Sequence, residues 1–322
     1  MWSADKLIYR NEDDFTRAYQ GSVLVWVKPT SNNRIFYTST NGQVVTPYSN
    51  NFGVNIVSNT YSGGVGVIEF DGDVTKIGTY AFYNRNTLQT IVIPDSVTSI
   101  QSYAFQGTSL TSIHIPANVR TIYADAFTSA CTNVTSITVD PNNPYYADLG
   151  SNGIFDIPHN MLRYGCRYTT IPSGIKEISS EAFLDVIDLQ SIVLPNTIEY
   201  IREFAFDNTG LMTINIPNSV KQIRASAFKN CSNLETVHIG NGVKLIKRDA
   251  FRNCNILREV VIDAVTPPDC DDLVQPANTW KAFDNNAVGR KIKVPSSSLT
   301  AYRTATGYQA GWADYASDII SQ

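Results

Sequence analysis

Apolar and polar positions alternate along most of the chain in two short phrases that recur. The first phrase is Leu-x-x-Ile-x-Ile-Pro or a close variant, found at residues 88–94, 110–116, 189–195 and 211–217, with looser forms in VTSITVD, LETVHIG and LREVVID. The second phrase is Ile-x-x-x-Ala-Phe, found in seven copies that end at Phe82, Phe105, Phe127, Phe183, Phe206, Phe228 and Phe251. Regular recurrence of one phrase is the sequence signature of a repeat architecture.

The first phrase predicts a short strand. Its side chains alternate, so Ile91 and Ile93 face the core while Thr90 and Val92 face the other way. Pro94 then ends the strand, because proline cannot donate a ladder hydrogen bond.

The second phrase predicts a short helical turn on the opposite side of the repeat. Val97, Ile100 and Ala104 stand at i, i+3 and i+7, the spacing of one apolar stripe of a helix, and Phe105 follows as a large filler. Each repeat is therefore a strand, a turn, a short helix and a return, about 22 to 23 residues in all.

A single repeat is too small to fold alone. Its large apolar side chains contribute ~1.5–3 kcal/mol each when fully buried, whereas ordering its backbone costs ~1–2 kcal/mol per residue. Neighbouring repeats must therefore stack, so that their strands pair into one parallel sheet over a continuous core. The small residue of the second phrase is expected to lie against that core, at Ala81, Ala104, Ala126, Ala182, Ala205, Ala227 and Ala250.

The combined pattern, Leu-x-x-Ile-x-Ile-Pro-x-x-Val-x-x-Ile-x-x-x-Ala-Phe, closely resembles the BspA-like leucine-rich repeats of bacterial and some protozoan surface proteins. The resemblance covers roughly residues 67–294 and includes the proline, the Ala-Phe pair and the intermittent cysteine after it. It implies an α/β solenoid with one parallel sheet face and short helices or turns on the opposite face. It also implies a role in adhesion or host interaction.

The residues on either side of the array, 1–66 and 295–322, are expected to cap it. Residues 21–29 and 34–47 alternate like strands, the second around an Asn41-Gly42 hairpin turn, and residues 13–19 are compatible with a short helix. A β-rich region of this kind would cover the first open strand edge. Residues 302–320 predict a short helical cap, and its aromatic residues either pack on the last repeat or stack on sugars: Tyr302, Tyr308, Trp312 and Tyr315.

Residues 140–172 interrupt the array. The spacing from Phe127 to Phe183 is 56 residues, and residues 154–155 and 161–164 flank a turn at 158–160, which predicts a hairpin. The phrase TTIP at 169–172 then restores the strand of the repeat. We interpret the segment as an elaborated repeat, since similar inserts occur in the family that the chain resembles.

Composition and charge disfavour several classes of binding partner. The 25 basic and 29 acidic residues give a net charge of −4, so the chain as a whole has no basic field that would favour nucleic acid or anionic lipid. No apolar run approaches the ~20 residues of a bilayer-spanning helix, and residues 1–15 lack the layout of a secretory signal. We expect a soluble monomer without nucleic-acid binding or membrane insertion. The resemblance implies an extracellular or cell-surface location, with a cytoplasmic one as the alternative.

Cysteine and histidine give little support for a metal site or another cofactor, and we predict neither. Three cysteines follow an Ala-Phe pair and are interpreted as buried thiols, namely Cys131, Cys231 and Cys254. Cys166 and Cys270 fall outside that column, and no Cys-x-x-Cys pair occurs. His114 and His238 occupy the same strand position about five repeats apart, roughly 24 Å, so they cannot share a metal.

One constellation invites a catalytic interpretation. His159 and Cys166 lie close in sequence, with Asp148 and Asp156 nearby, and a cysteine beside a histidine is the arrangement of an activated thiol nucleophile. A turn histidine beside a strand cysteine is far commoner by chance, and the phosphate-binding, serine-hydrolase and zinc-protease motifs are missing. We predict no catalytic residue and no enzymatic activity.

The outward positions of the strands are the better candidate site. They carry mostly small, neutral, hydrogen-bonding side chains, at Ser112, His114, Ser136, Thr138, Ser191, Thr213, Asn215, Thr236, His238 and Glu259. Such a face suits recognition of a protein or a glycan, although Ser and Thr are also ordinary on exposed strands. The alternatives are a passive structural spacer and, third, an enzyme acting through residues 141–168.

Overall fold

The computed structural model describes residues 11–12, 15–20, 23–29, 31–128, 132–270 and 281–322, with side chains from residue 31 onward except at 307, 308 and 310. It divides the chain into two compact units, Met1–Ala147 and Asp148–Gln322. This division falls inside the insert at 140–172. The predicted domain boundaries, at 66/67 and 294/295, stay predictions.

Strands make up nearly all of the regular structure. Those of the first unit are β1 Asn11–Glu12, β2 Phe15–Gln20, β3 Val23–Pro29, β4 Arg34–Ser39, β5 Ile56–Ser62, β6 Val65–Phe70, β7 Lys76–Ile77, β8 Leu88–Val92, β9 Ser99–Ile100, β10 Ser112–Ile115, β11 Thr121–Ile122, β12 Ser136–Val139 and β13 Tyr146–Ala147. A single 3₁₀ turn, Ser49–Asn51, is the helical element among this unit's described residues.

The second unit continues in the same style. Its strands are β14 Gly153–Asp156, β15 Met161–Gly165, β16 Glu177–Ile178, β17 Tyr200–Ile201, β18 Thr213–Ile216, β19 Gln222–Ile223, β20 Thr236–Ile239, β21 Leu245–Ile246, β22 Glu259–Ile262, β23 Lys291–Val294 and β24 Ile319–Ser321. Near the C-terminus lie the helix α1, Leu299–Arg303, and two 3₁₀ segments, Ser296–Ser298 and Gly307–Tyr315.

Five copies of the first phrase form parallel four-residue strands, as predicted, whereas the copy at 88–94 forms β8, which pairs antiparallel with β4. In the second unit the order β18-β20-β22-β23-β24 makes one sheet, which we call the long-strand sheet. The buried residues Ile214, Val237 and Val260 stand side by side in adjacent strands of this sheet. The alternate residues along each strand face outward. In the first unit β10 and β12 pair in the same parallel way. The stacked parallel strands confirm the solenoid.

The second phrase forms a second parallel sheet where a helical turn was predicted. Ile100 lies in the two-residue strand β9, which pairs with β7 and β11, and the residues after it are turns. In the second unit β15-β16-β17-β19-β21 pair likewise, and we call these strands the short-strand sheet. The helical interpretation of Val97, Ile100 and Ala104 is therefore wrong, although all three residues are fully buried.

Left-handed residues explain why these segments turn instead of coiling into helices. In six repeats the residue before Ala has a φ between 56° and 63°, at Tyr80, Tyr103, Glu181, Phe204, Ser226 and Asp249. The second residue after Phe has a φ between 54° and 67°, at Asn84, Gly107, Asp185, Asn208, Asn230 and Asn253. Because an α-helix requires negative φ at every residue, two left-handed positions in one phrase exclude it.

The Ala-Phe pair links each repeat to the next. The Phe206 amide donates to the Ala227 carbonyl at 2.7 Å, and the Phe228 amide to the Ala250 carbonyl at 2.7 Å. Their rings stack with centroids 5.0 Å apart and planes 4° apart. The seven predicted alanines are all at most 1% exposed, which confirms that they lie in the core. Phe283 extends the ladder, although Asn278 stands where the phrase has Ile.

A row of side-chain amides runs beside this ladder in the second unit. Asn253 donates to Asn230 at 2.9 Å, and Asn230 donates to the Asp207 carboxylate at 2.9 Å. Asp207 is 7% exposed, and its burial raises the pKa of the carboxyl to about 6. The row therefore ends on a buried carboxylate, and keeping this group ionised near neutral pH destabilises the folded state.

The cysteine column is confirmed where it is described. Cys231 and Cys254 are buried free thiols whose Sγ atoms lie 3.1 Å from the Phe206 and Phe228 carbonyl oxygens. The hydrogen bond between the two thiols, together with burial, raises the pKa of Cys254. Cys131 lies outside the described residues.

The N-terminal region differs from the prediction in two elements. Residues 15–20 form strand β2, paired antiparallel with β3, so the expected helix at 13–19 is wrong. Gly42 does turn the chain, with a φ of 68°, but residues 44–48 form no strand. The Asn41-Gly42 hairpin is absent because β4 already pairs with β6 on one side and β8 on the other, both antiparallel.

The insert contains the predicted hairpin, with β14 paired antiparallel to β15. The strands expected at 169–172 and 189–195 are not formed. The Thr170 amide donates to the Ser151 carbonyl in the insert instead of to a neighbouring repeat. The segment at 189–195 consequently has no strand on that side to pair with.

The C-terminal region is partly helical, as predicted, and ends in strand β24, which pairs with β23 and was not predicted. Trp312 and Tyr315 contact Phe283, at centroid distances of 5.9 and 5.7 Å. Tyr302 and Trp312 are fully buried and Tyr315 is 7% exposed. These three rings pack on the last repeat, and the sugar-stacking alternative is wrong for them. The side chain of Tyr308 lies outside the described residues.

Replacing Ala205 by Leu should destabilise the protein by about 1–3 kcal/mol, because the added atoms overpack a fully buried position. The denaturant midpoint measures the loss. Ala301→Leu in α1, at an exposed position, is the matched control and should change stability by less than about 0.5 kcal/mol. An equal effect of the two substitutions would contradict the assigned packing.

Asp207→Asn should remove a pH dependence of stability. The folded pKa of about 6 lies above the ordinary value, so the wild-type free energy of unfolding falls as pH rises from about 4 to 7. The variant keeps the acceptor for Asn230 and should gain on the order of 1–2 kcal/mol over wild type at pH 7, and almost nothing at pH 4. Urea unfolding at both pH values measures the free energies, with Asp314→Asn at an exposed position as the control. A difference between variant and wild type that is the same at pH 4 and pH 7 would contradict the prediction.

Candidate functional site

The predicted face of the second unit is exposed and held in strict register. Thr213, Thr236 and Glu259 stand opposite one another in β18, β20 and β22, and Asn215 stands opposite His238. The threonines, Asn215 and His238 are exposed, while the intervening apolar residues are buried. The alternation that separates core from surface is therefore as predicted.

The first unit repeats the arrangement on two strands. Ser112 pairs with Ser136 and His114 with Thr138. Ser136 and Thr138 are exposed, whereas Ser112 and His114 are half-buried. The His114 Nδ1 atom lies 2.9 Å from the Thr138 hydroxyl, so this pair is linked across the strands.

Ser191 is exposed, but it does not lie on a strand. Residues 189–195 carry no ladder partner, and Val193 beside it is 82% exposed. The side chain is available to solvent, yet its position is set by an irregular segment and not by strand register. Its expected place in the sheet is therefore wrong.

The face becomes charged toward its C-terminal strands, where Glu259 was a predicted site residue but the lysines of β23 and Asp263 were not. Lys293 makes an ion pair with Glu259 at 2.8 Å, and Lys291 stands exposed beside it. The His238 Nε2 atom lies 2.8 Å from the Asp263 carboxylate. The lysines were readable from KIKVP, which follows the same strand pattern as the other repeats.

This face can donate and accept hydrogen bonds, but it offers no activated group. Its hydroxyl, amide and imidazole side chains lie on short parallel strands with fixed spacing. Among the residues that the structure describes, no group of three His, Cys, Asp or Glu side chains is placed to hold a metal ion. The arrangement suits recognition of a partner surface better than bond-making chemistry.

The insert does not bring its cysteine and histidine into one hydrogen bond. Cys166 is fully buried, and its Sγ lies 3.2 Å from the Asn152 amide nitrogen. His159 is exposed, and its Nδ1 lies 2.7 Å from the Asp156 carboxylate, which also accepts from Arg163 at 2.9 Å. Nucleophile activation requires a direct contact between the two groups, and within the described insert each has other partners.

No helix in the described part of the chain has the length and apolar character needed to cross a bilayer. A search of the curated proteins finds no match.

Similar solved structures come from bacterial leucine-rich repeat proteins. A leucine rich cell surface protein from Faecalibacterium prausnitzii is 28% identical over 73% of this chain and 61% of its own, with a TM-score of 0.56. Leucine-rich repeat proteins from Eubacterium ventriosum (22% identity, 64% of this chain, 56% of that one, TM-score 0.47) and Bacteroides ovatus (18%, 90%, 80%, 0.43) are more distant. This chain thus spans about three-fifths of the F. prausnitzii protein.

The family model agrees with the repeat that the strands and turns define. It matches residues 56–149 and 159–267 in six copies, more than half of the chain. The chain belongs to the family of the BspA type leucine rich repeat region.

Proposed function

We propose that this chain is a non-enzymatic binding module, displayed outside the cell or on its surface, that engages a protein or a glycan through the long-strand sheet. The observation that carries the proposal is the register of outward side chains over buried inward ones. Because the inward residues hold the fold, Thr213, Asn215 and Thr236 are free to contact a partner without loss of packing.

The family supports the surface location and the absence of catalysis. BspA-like repeat proteins are typically surface proteins, and the F. prausnitzii relative is described as a leucine rich cell surface protein. The family is compatible with a binding or a structural module and is generally non-enzymatic. The buried Cys166, separated from His159 by its hydrogen-bond partners, also disfavours an enzyme in the insert.

Protein and glycan arrays would identify a ligand, and a triple replacement would locate its site. Thr213→Glu, Asn215→Glu and Thr236→Glu together should weaken binding by more than about tenfold and leave the thermal midpoint nearly unchanged, because no core contact is removed. Ser232→Glu with Asn233→Glu, at exposed turn positions outside the sheet, is the control and should leave affinity unchanged.

Three results would contradict the proposal. If no protein or glycan on the arrays binds the chain, a passive structural spacer would be favoured. Affinity that survives the triple replacement would place the site elsewhere on the chain. A hydrolytic or transferase activity that is lost in Cys166→Ala would favour an enzyme acting through the insert.

A further inference from the structure

The short-strand sheet of the second unit carries basic side chains at equivalent places in successive repeats. Lys221 and Lys244 stand two residues before the inward isoleucine, and Arg224 and Lys247 stand one residue after it. Backbone hydrogen bonds fix both alignments, from the Lys244 amide to the Lys221 carbonyl at 2.8 Å and from the Lys247 amide to the Ile223 carbonyl at 2.9 Å. We call these four residues the basic grid.

The grid has a regular spacing. Parallel strands lie ~4.8 Å apart, so equivalent residues of adjacent repeats are close neighbours, while three residues along one strand span ~10 Å. Lys221 and Lys244 are exposed, and Arg224 is half-buried. The four backbone positions therefore form two rows of two cations on one side of the unit.

The preceding repeats extend the grid with an aromatic ring and two neutralised carboxylates. The Arg202 guanidinium and the Lys221 ammonium lie 5.4 and 5.9 Å from the centroid of Tyr200. Arg202 also makes two hydrogen bonds to Glu177, at 2.6 and 2.8 Å. Glu199 accepts from Lys221 and lies 3.7 Å from Lys176, and these contacts lower its pKa.

Positive charge is in excess here although the whole chain is acidic. Residues 221–258 contain eight basic and two acidic residues, a surplus of six, in a chain of net charge −4. Arg224 and Lys244 make no ion pair with any described carboxylate, and the buried Arg224 Nε has no hydrogen-bond partner among the described residues. Neighbouring like charges repel one another, so an anion bound between Arg224 and Lys244 would relieve that repulsion.

We propose that the basic grid binds a linear polyanionic glycan, with sulfate or carboxylate groups meeting successive repeats. A row of cations repeating at ~4.8 Å matches a polymer whose anionic groups recur at about the length of one sugar residue. Arg224 offers a planar, multi-donor group for an oxyanion, and Lys221 and Lys244 supply flexible point charges.

The surroundings favour a glycan over nucleic acid. Single-stranded nucleic acid is held by several aromatic side chains on which bases stack. Among the described strands of this sheet in the second unit, the outward aromatic is Tyr200, and its ring is already engaged by Arg202 and Lys221.

Heparin, as a sulfated probe, and polygalacturonate, as a probe with a carboxylate on every sugar, test the proposal by titration calorimetry at 50 and 200 mM salt. Wild-type protein should bind heparin, with affinity falling by roughly tenfold or more between the two salt concentrations. Arg224→Gln with Lys244→Gln should weaken binding by about tenfold or more and flatten the salt dependence. Lys244→Arg should retain binding, because it keeps the charge.

Lys229→Gln with Lys281→Gln removes the same charge from half-buried positions outside both sheets and should leave affinity nearly unchanged. An equal loss in both double variants would overturn the proposal, since it would reflect total charge alone. So would the absence of heparin and polygalacturonate binding at 50 mM salt, or tighter binding of an oligothymidine or of phosphatidylserine vesicles. The grid is separate from the long-strand sheet, so its failure leaves the proposed function standing.

Discussion

The contact between the Ala-Phe pairs of adjacent repeats is the interaction on which the rest of the structure depends. In six repeats the Phe amide donates to the Ala carbonyl of the next repeat, at 2.7–2.8 Å in both units, and the Phe rings stack over the same step. A buried amide without its partner would cost about 1–3 kcal/mol. The pair must therefore be stacked in every repeat, and any larger residue than Ala would separate the backbones.

The left-handed residues around that pair determine which surfaces the solenoid presents. They turn the chain twice within each repeat, so the second apolar phrase runs as a two-residue strand and not as a helix. Each repeat consequently exposes two strand faces. The core fixes the inward side chains of both sheets, and the outward ones are free to differ, which allows a neutral hydroxyl and amide face on one sheet and a basic grid on the other.

Much of this could be predicted from sequence, because Ile-x-Ile-Pro alternation and Ala-Phe recurrence are read directly as strands and close packing. The short strands could not, since Val97, Ile100 and Ala104 have the spacing of a helical stripe, and nothing in the type of Tyr103 or Phe204 signals a left-handed backbone. Residues 15–20 form strand β2 because they pair with β3, and local propensity does not reveal that pairing. The basic grid could not be predicted from the net charge of the chain. The surplus of six positive charges in residues 221–258 is outweighed by the acidic residues of the rest of the chain.

Native-state hydrogen exchange at the Phe206 and Phe228 amides tests most directly whether stacked repeats hold one another. Both amides donate to the next repeat at 2.7 Å, so the account predicts that they exchange only through openings that expose several repeats. Their exchange rates should then rise steeply with guanidinium, because such openings expose much surface. Exchange that is rapid and independent of denaturant would mean that each repeat opens alone, and would contradict the account.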